Sequence, residues 1–207
     1  MVQHKHSKQW LRQHADDEFV RRARQEGYRS RAAYKLREID ERYRVLRPDM
    51  IVVDLGAAPG GWSQYARQKV GNGGRVVAQD ILPMDPLPGV DFLLGDIRDS
   101  AVLDLLITSL SGASAGLVIS DMSPNISGDR VSDQARAVQL GELALEVAAM
   151  ILAPGGQLLL KVFQGDGADE LRREVARRFD NLVTCKPRAS RTKSREIYLF
   201  AKGFLGN

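Results

Sequence analysis

The stretch Asp54-Leu55-Gly56-Ala57-Ala58-Pro59-Gly60-Gly61-Trp62-Ser63 carries more structural information than any other part of this chain. An apolar, β-branched run (Ile51-Val52-Val53) precedes it, and a helix-forming segment follows it. A strand, a glycine-rich turn and a helix in this order build a cradle for a nucleotide-type cofactor. Glycine lets the backbone approach a ligand closely, and the first helical turn offers N–H groups that lack intrahelical partners.

Strand-like and helix-like segments alternate on both sides of this stretch. The predicted strands are Ile51–Leu55, Arg75–Gln79, Asp91–Leu94, Gly116–Ser120, Gly156–Phe163, Leu182–Lys186 and Glu196–Lys202. The predicted helices are Ser30–Arg44 with Ser30 as its N-cap, Trp62–Lys69, Ala101–Leu110, Val131–Leu152 and Asp169–Phe179. This alternation predicts a Rossmann-like α/β fold with a mainly parallel seven-stranded sheet. The last two strands are joined by a link too short for a helical crossover, which predicts one antiparallel strand.

Length and composition predict one domain, with residues 1–47 as a basic helical extension and residues 48–207 as the core. The chain has 207 residues, of which 43% are apolar and 27% charged, as in ordinary globular proteins. No apolar run approaches the roughly 20 residues of a membrane helix, and residues 1–12 lack the apolar segment of a secretory signal. The single cysteine, Cys185, excludes an internal disulfide. We therefore expect a cytoplasmic protein.

The charge is distributed unevenly along the chain. Residues 1–47 carry a net charge of +6, residues 48–170 carry −9 and residues 171–207 carry +7. A basic surface assembled from both ends would suit a polyanion such as nucleic acid. The alternative is that basic ends only keep a small protein in solution. The candidate phosphate contacts are Arg21, Arg22, Arg24, Arg29, Arg31, Arg188, Arg191, Lys193 and Arg195.

The glycine spacing and the acidic residue before it indicate the class of cofactor. Gly56, Gly60 and Gly61 give G-x-x-x-G-G, which is neither the G-x-G-x-x-G of dinucleotide-binding proteins nor a P-loop. Asp54 would repel a pyrophosphate, whereas it suits a ligand with positive charge such as the amino group and sulfonium of S-adenosylmethionine. The spacing therefore disfavours a dinucleotide oxidoreductase.

Two further aspartates follow predicted strands. Asp80 ends the second strand, where it suits an acceptor for ribose hydroxyls, and Asp96 follows the third, where it could accept from an adenine amino group. Ligands of open α/β folds bind at this carboxyl edge of the sheet. Aspartate is also frequent after strands as a turn or N-cap residue, so one such residue alone is uninformative.

Four other residues are candidates for the chemistry. Lys161 interrupts an apolar strand, and lysine is rarely buried without a partner. Asp121 follows the fourth strand, Glu196 opens the last strand and Lys35 lies on the second N-terminal helix. Each has a structural alternative. Lys161 could be a snorkelling lysine at the strand end, and Asp121 could be only an N-cap. Glu196 could be an edge-strand charge, and Lys35 could be a basic surface residue.

The chain resembles the FtsJ/RrmJ family of ribose 2′-O-methyltransferases that act on ribosomal RNA, and within it the bacterial large-subunit members. The resemblance runs from about residue 7 to residue 202. The stretches that carry it are Ser30–Leu36, Asp54–Ser63, Asp121–Asn125, Lys161–Gly165 and Ser190–Tyr198.

The resemblance implies a catalytic tetrad and a set of cofactor contacts. The family's Lys-Asp-Lys-Glu tetrad corresponds to Lys35, Asp121, Lys161 and Glu196, and its S-adenosylmethionine contacts correspond to Gly60, Trp62, Asp80, Asp96 and Asp121. It implies methylation of a uridine 2′-hydroxyl of 23S RNA, in the aminoacyl-tRNA-binding loop of the assembled large ribosomal subunit. We expect a monomer, and no metal at the site or at the His4-x-His6 pair.

Three questions stay open from the sequence. Lys161 could act as a neutral general base, or as an ammonium that steers the hydroxyl toward the methyl carbon. Methylation of a base carbon would favour a cysteine nucleophile, and Cys185 is expected to lie far from the site loops. A non-catalytic RNA-binding factor for ribosome assembly is the alternative to an enzyme.

Overall fold

A computed structural model describes residues 17–206 of the chain. The strands are β1 (Ile51–Leu55), β2 (Arg75–Asp80), β3 (Val90–Leu94), β4 (Ala115–Ser120), β5 (Leu152–Phe163), β6 (Phe179–Cys185) and β7 (Glu196–Phe204). The helices are α1 (Glu18–Glu26), α2 (Ala32–Tyr43), α3 (Gly61–Val70), α4 (Ser100–Ser109), α5 (Arg130–Ile151) and α6 (Ala168–Arg178). The pair His4 and His6, together with the rest of residues 1–16 of the predicted basic extension, lies outside the described residues.

The seven strands form one sheet in the order β3-β2-β1-β4-β5-β7-β6. Neighbouring strands from β3 to β5 pair in parallel, and β7 pairs antiparallel with both β5 and β6. The prediction of a mainly parallel seven-stranded sheet with one antiparallel strand is therefore confirmed. The strand order reverses between β1 and β4, where ligands bind in open α/β sheets.

Both faces of the sheet are covered, which explains why its central strands read as continuous apolar runs. On one face, α2 and α3 pack against the sheet through residues such as Leu36, Ile39 and Tyr65. On the other face, α4, α5 and α6 contribute residues such as Leu106 and Leu145. Successive β5 residues point alternately to the two layers, so the side chain of Lys161 lies on the α2 side.

The start of α2 differs from the prediction. We expected Ser30 to cap this helix, but the helix begins at Ala32 after Arg31, and no side chain caps it. The Ser30 hydroxyl is buried without a hydrogen-bond partner. A Cβ added to Gly61 would lie 2.3 Å from that oxygen, so α3 packs tightly against this turn. Backbone hydrogen bonds from the N–H groups of Ala33 and Tyr34 to the carbonyls of Ser30 and Arg31 take the place of a side-chain cap.

Strands β3 and β4 begin one residue earlier than predicted, and β5 and β6 begin several residues earlier. Strand β5 begins at Leu152, which pairs with Ala115, and a register shift follows before Gln157 pairs with Leu117. The irregularity accommodates Pro154 and Gly155, which the sequence pattern marks as a break. Strand β6 begins at Phe179 because β7 continues to Phe204, and the two rings pack 5.3 Å apart.

The basic link between β6 and β7 is fastened to the N-terminal helices. The carboxylate of Glu38 on α2 accepts hydrogen bonds from the backbone N–H groups of Arg188 and Ala189, the latter at 3.0 Å. The guanidinium of Arg31 donates to the Ala189 carbonyl and pairs with Asp17. The structure thus places side by side two basic segments that the sequence separates by more than 140 residues.

Candidate active site

The loop after β1 follows a path that requires glycine at two positions. Gly56 has φ +77°, and a Cβ there would lie 2.4 Å from the Met122 side chain. Gly60 has φ +103°, and a Cβ there would lie 2.9 Å from the Leu87 side chain. Residues other than glycine are strained at such φ values, because their Cβ atom clashes with the backbone. The predicted cradle between β1 and α3 is therefore formed, with α3 beginning at Gly61.

Asp80 joins the two loops that border this cradle. Its Oδ2 accepts a hydrogen bond of 2.8 Å from the backbone N–H of Ala58, in the loop after β1. Its Oδ1 accepts one of the same length from the N–H of Leu82, in the loop after β2. A carboxylate oxygen can accept more than one hydrogen bond, so both oxygens retain capacity toward a ligand.

The structure places Asp96 in a more exposed position, directly after β3. Its carboxylate accepts from the Arg98 guanidinium at 2.5–3.0 Å. Hydrogen bonds from the Arg98 side chain and backbone lower the pKa of Asp96 below its ordinary value. Asp96 is therefore held as a carboxylate acceptor at the sheet edge, with both oxygens shared with an arginine.

Asp54 differs from the expectation that it faces a cationic ligand. Its side chain is 0% exposed, and its Oδ2 accepts a 2.6 Å hydrogen bond from the Ser63 hydroxyl. Its Oδ1 has no partner among the described residues, and neither has the hydroxyl of Ser120 at the end of β4. Asp54 therefore ties β1 to α3 beneath the glycine loop, where a direct ion pair with a ligand is not available.

Burial has a clear consequence for the ionisation of Asp54. Desolvation raises its pKa from 3.8 to about 7, and the hydrogen bond from Ser63 opposes this only in part. Because the folded pKa exceeds the unfolded value, the folded state holds more protons between these two pH values. The contribution of Asp54 to the free energy of unfolding therefore falls as the pH rises from about 4 to 7, and it stays low above pH 7.

We expect Asp54→Asn to flatten this part of the pH dependence. In the wild type, the raised pKa of Asp54 should lower the free energy of unfolding by up to roughly 4 kcal/mol between pH 4 and pH 8, because the folded pKa lies about three units above the unfolded one. Asp54→Asn should remove this decrease. Urea unfolding of both proteins at pH 5, 6, 7 and 8 measures it. The exposed carboxylate of Asp91 provides the control, because Asp91→Asn should leave the slope unchanged. Parallel curves for the wild type and Asp54→Asn would contradict the expectation.

The indole of Trp62 is buried in the protein rather than presented to the cradle. Its Nε1–H donates to the Ala32 carbonyl at 2.8 Å, and its ring centroid lies 5.8 Å from that of Tyr198. Trp62 therefore fixes α2 and β7 against the first turn of α3. Toward a ligand in the cradle it can offer its backbone N–H, at the positive end of the helix dipole.

Lys35, Asp121, Lys161 and Glu196 come together at the carboxyl edge, one strand away from the cradle. The Nζ of Lys161 lies 3.1 Å from Asp121 Oδ1 and 2.5 Å from the Asp121 carbonyl oxygen. The Nζ of Lys35 lies 2.9 Å from Glu196 Oε1 and 3.9 Å from Asp121 Oδ2. Two cations and two carboxylates thus alternate in one cluster.

The topology explains why residues so far apart in sequence meet. Asp121 directly follows β4, whose last residue pairs with Leu160, so Asp121 lies beside Lys161. Strand β7 runs antiparallel, which brings its first residue, Glu196, to the edge where the parallel strands end. The α2 helix packs on the face to which the Lys161 side chain points, and it contributes Lys35.

Tyr198 is a cluster member to which the sequence analysis assigned no role. It pairs with Lys161 in the β5–β7 register, and its hydroxyl donates to Asp121 Oδ1 at 2.8 Å. Desolvation raises the pKa of Tyr198 well above its ordinary value, so it remains a donor. Its spacing of two residues from Glu196, on the same face of one strand, is the signal that could have identified it.

The ionisation of Asp121 reflects its neighbours. Burial alone would raise its pKa, but the charges of Lys161 and Lys35 and the Tyr198 hydroxyl more than offset this and lower the pKa below the ordinary value. Asp121 is therefore a stable anion that accepts from several donors at once. Such a group orients the two lysines at a fixed distance from the sheet edge.

Cys185 ends β6, the edge strand of the sheet, and pairs with Tyr198 of β7. The cradle loops follow β1, β2 and β3, in the other half of the sheet. Burial raises the pKa of the Cys185 thiol to about 11, which leaves little thiolate to act as a nucleophile. Its ionisation therefore adds to the argument against a cysteine-based reaction.

Arg29 has a structural partner that the sequence analysis did not foresee. Its guanidinium donates to the backbone carbonyls of Asp85 and Pro86, the latter at 2.7 Å, and to that of Pro59 at 3.4 Å. These contacts hold the loop after β2 over the glycine loop. A basic residue expected to contact phosphate thus connects the N-terminal extension to the rim of the cradle.

Comparisons with known proteins identify the family of the chain. The sequence profile of the FtsJ-like methyltransferase family matches residues 28–204. The chain belongs to this family. Over 199 residues it is 55% identical to ribosomal RNA large subunit methyltransferase E of Acinetobacter baumannii, covering 96% of this chain and 92% of that protein. The protein of the same name from an Azoarcus species is 57% identical, with 96% and 97% covered.

Solved structures support the same fold. A crystal structure described as a ribosomal RNA methyltransferase from Plasmodium falciparum superposes with a TM-score of 0.74 at 29% identity, covering 87% of this chain and all of that one. A structure from Clostridium thermocellum, with a TM-score of 0.53, 16% identity and coverage of 82% and 97%, agrees in fold alone.

Within residues 17–206, no group of three or more His, Cys, Asp and Glu side chains is placed to hold a metal ion. None of the helices in this part of the FtsJ-like chain combines the length and the apolar character of a membrane span.

Proposed function

We propose that this FtsJ-like methyltransferase transfers a methyl group from S-adenosylmethionine to the 2′-hydroxyl of a uridine in 23S RNA of the large ribosomal subunit. The observation that carries the proposal is the cluster of Lys35, Asp121, Lys161 and Glu196 beside the glycine-rich cradle. A pure RNA-binding protein has no use for a lysine that is 8% exposed in a central strand. The names of the two bacterial relatives support the substrate.

The residues of the cradle fit this cofactor. Gly56 and Gly60, both at positive φ, turn the loop tightly after β1, and the buried Ser120 hydroxyl, without a partner among the described residues, lies at the end of β4 across the switch point. Asp80 would accept from ribose hydroxyls, Asp96 from the adenine amino group, and Gly60 and Trp62 would offer backbone groups. Bound there, S-adenosylmethionine supplies an electrophilic methyl group on a positively charged sulfur.

Lys161 would contact the ribose hydroxyl. Its amine already donates toward two acceptors, both on Asp121, at 3.1 and 2.5 Å. Two of the three directions around the Lys161 nitrogen are therefore used by Asp121. The remaining direction carries an N–H if the amine is charged and a lone pair if it is neutral. In the first case it steers the hydroxyl, and in the second it removes the hydroxyl proton.

Lys35 and Glu196 would act as positioning residues for this reaction. Their ion pair of 2.9 Å fixes the first residue of β7 against α2 and sets the charge around Asp121. Because Asp121 touches both lysines, the four side chains hold one another in a single arrangement. Much of the rate would come from aligning oxygen, methyl carbon and sulfur in line.

RNA would be held by the basic surface that the two chain ends form together. The link carrying Arg188, Arg191, Lys193 and Arg195 is fastened to α2 through Glu38. Helix α1, with its arginines, packs nearby through Ala23 against Tyr34 and Ala189. Phosphate contacts of this kind position a substrate without reading its sequence. We propose that a monomer carries out the reaction in the cytoplasm.

Tritium transfer from labelled S-adenosylmethionine tests the proposal. Purified large subunits that lack their own methylation and protein-free 23S RNA serve as parallel substrates, and the products are digested and resolved by nucleoside. We expect label in 2′-O-methyluridine, with higher yield from subunits. Cofactor binding without transfer to either RNA would reject the enzyme and favour a non-catalytic assembly factor.

A further inference from the structure

A groove beside the catalytic cluster has no role in the function proposed so far. It runs between the loop after β4, the first turns of α5 and the basic link, with a volume of about 320 Å³. The lining residues that matter here are Pro124, Ile126, Arg130, Phe163, Lys193 and Arg195. The loops of the cradle after β1, β2 and β3 do not contribute to it.

The groove begins at the cluster itself. Phe163 pairs with Glu196 at the end of β5, and the Nζ of Lys161 lies 5.6 Å from the centre of the Phe163 ring. Arg195 immediately precedes Glu196 in the chain. A nucleotide whose 2′-hydroxyl reaches Lys161 therefore has its other parts within reach of this groove.

Its walls combine apolar surface with positive charge. Pro124, Ile126 and Phe163 offer apolar contact area, and Arg130, Lys193 and Arg195 add three cations. The one carboxylate in the lining, Asp133, already accepts hydrogen bonds from Ser127 and Gly128. A planar apolar group attached to a polyanion, as in an RNA nucleotide, complements such walls.

Two large apolar side chains at this end of α5 are exposed without an evident structural reason. Ile126 is 79% exposed and Val131, beside the groove, is 75% exposed. The loop that carries Ile126 is nevertheless held in place, because both residues after it donate to Asp133. These hydrogen bonds therefore hold the Ile126 side chain in its exposed position.

The floor of the groove is fixed as well. The Gln134 amide nitrogen donates at 3.1 Å to the carbonyls of both Phe163 and Asp166, which ties α5 to the end of β5. Gly165 follows a path with φ +148°, and a Cβ there would lie 2.8 Å from this amide. The two walls thus keep a set separation, as in a preformed ligand site.

From these observations we infer that the groove receives the base of the nucleotide to be methylated, extruded from the RNA, against Ile126 and Phe163, while Arg130, Lys193 and Arg195 contact the flanking phosphates. The inference rests on the proposed 2′-O-methylation. It assigns a base-binding subsite on the side of the cluster away from the cofactor cradle. Binding energy there would place the ribose of the same nucleotide against Lys161.

Photocrosslinking tests this subsite without depending on turnover. A p-benzoylphenylalanine residue is introduced at Ile126, and the variant is irradiated with unmethylated large subunits. We expect a crosslink that maps to the nucleotide methylated by the wild type or to its immediate neighbours. The same group at Met150, which is 57% exposed at the opposite end of α5, is the control and should not mark that nucleotide.

Kinetics of a second variant provide an independent measurement. We expect Ile126→Ser to raise the KM for large subunits about tenfold, as for loss of one buried aliphatic contact, with the S-adenosylmethionine Kd unchanged and Met150→Ser like the wild type. Crosslinks at distant nucleotides, together with an unchanged KM, would overturn the inference and leave the proposed reaction intact. Failure of the wild type to methylate any RNA would instead reject the reaction.

Discussion

Lys161→Ala is expected to lower kcat for methyl transfer to large subunits by about 10³-fold, within the range typical for loss of a positioned acid–base group. In the proposed reaction this amine contacts the ribose hydroxyl, and Asp121 holds it through contacts of 3.1 and 2.5 Å. Affinity for S-adenosylmethionine should change little, because the polar contacts of the Lys161 amine are to Asp121 after β4 and not to the loops after β1, β2 and β3. Single-turnover transfer and calorimetric titration of the cofactor measure the two quantities.

The control for this variant separates chemistry from folding. Removing one partner of a buried ion pair costs about 3–5 kcal/mol in unfavourable cases, so the thermal midpoint of Lys161→Ala must be measured as well. Lys69→Ala removes a half-exposed lysine that faces Asp40 at 3.9 Å, away from the cluster, and should retain the wild-type rate. A folded Lys161→Ala protein that transfers methyl at the normal rate would reject the assignment.

The pH dependence of the wild-type rate distinguishes the two roles of Lys161. If the neutral amine removes the hydroxyl proton, log kcat should rise with unit slope toward alkaline pH until the amine is deprotonated. If the ammonium steers the hydroxyl, kcat should instead fall when the amine loses its proton.

Asp80→Ala should weaken S-adenosylmethionine binding by about 100-fold, since a hydrogen bond to a charged group contributes about 1.5–3 kcal/mol and two loops lose their common acceptor. Asp80 binds the N–H groups of Ala58 and Leu82, at 2.8 Å each, and so holds the two loops together. Calorimetric titration with S-adenosylmethionine and its demethylated product measures the effect.

The exposed side chain of Asp85, in the same loop, supplies the matched control for this variant. Asp85→Ala removes one negative charge from the rim, but the backbone carbonyl that accepts from Arg29 remains. Its cofactor affinity should stay within about threefold of the wild type, as for an exposed charge in water. An equal loss of cofactor affinity in both variants would show that net charge, and not the Asp80 hydrogen bonds, determines this affinity.

The sequence by itself determined the architecture of this FtsJ-like protein and the identity of most candidate residues. Apolar, strand-like runs that alternate with helix-like segments predicted the seven strands, because a strand buried on both faces must be apolar throughout. The short link before Glu196 predicted the antiparallel strand. Lys161 stood out because it interrupts an apolar strand, where unpaired charge is costly. Lys35, Asp121 and Glu196 were identified by their places near strand ends and by the resemblance to the family.

Only the tertiary structure decided which of these groups touch and which are turned away. The antiparallel register brought Glu196 and Tyr198 to the cluster, and Asp54 is fully buried beneath the glycine loop. The guanidinium groups of Arg29 and Arg31, which were expected to contact phosphate, donate to the backbone carbonyls of Pro86 and Ala189. Side-chain direction, burial and ionisation depend on neighbours from distant parts of the chain, so local sequence patterns specify the edge of the sheet but not the contacts made there.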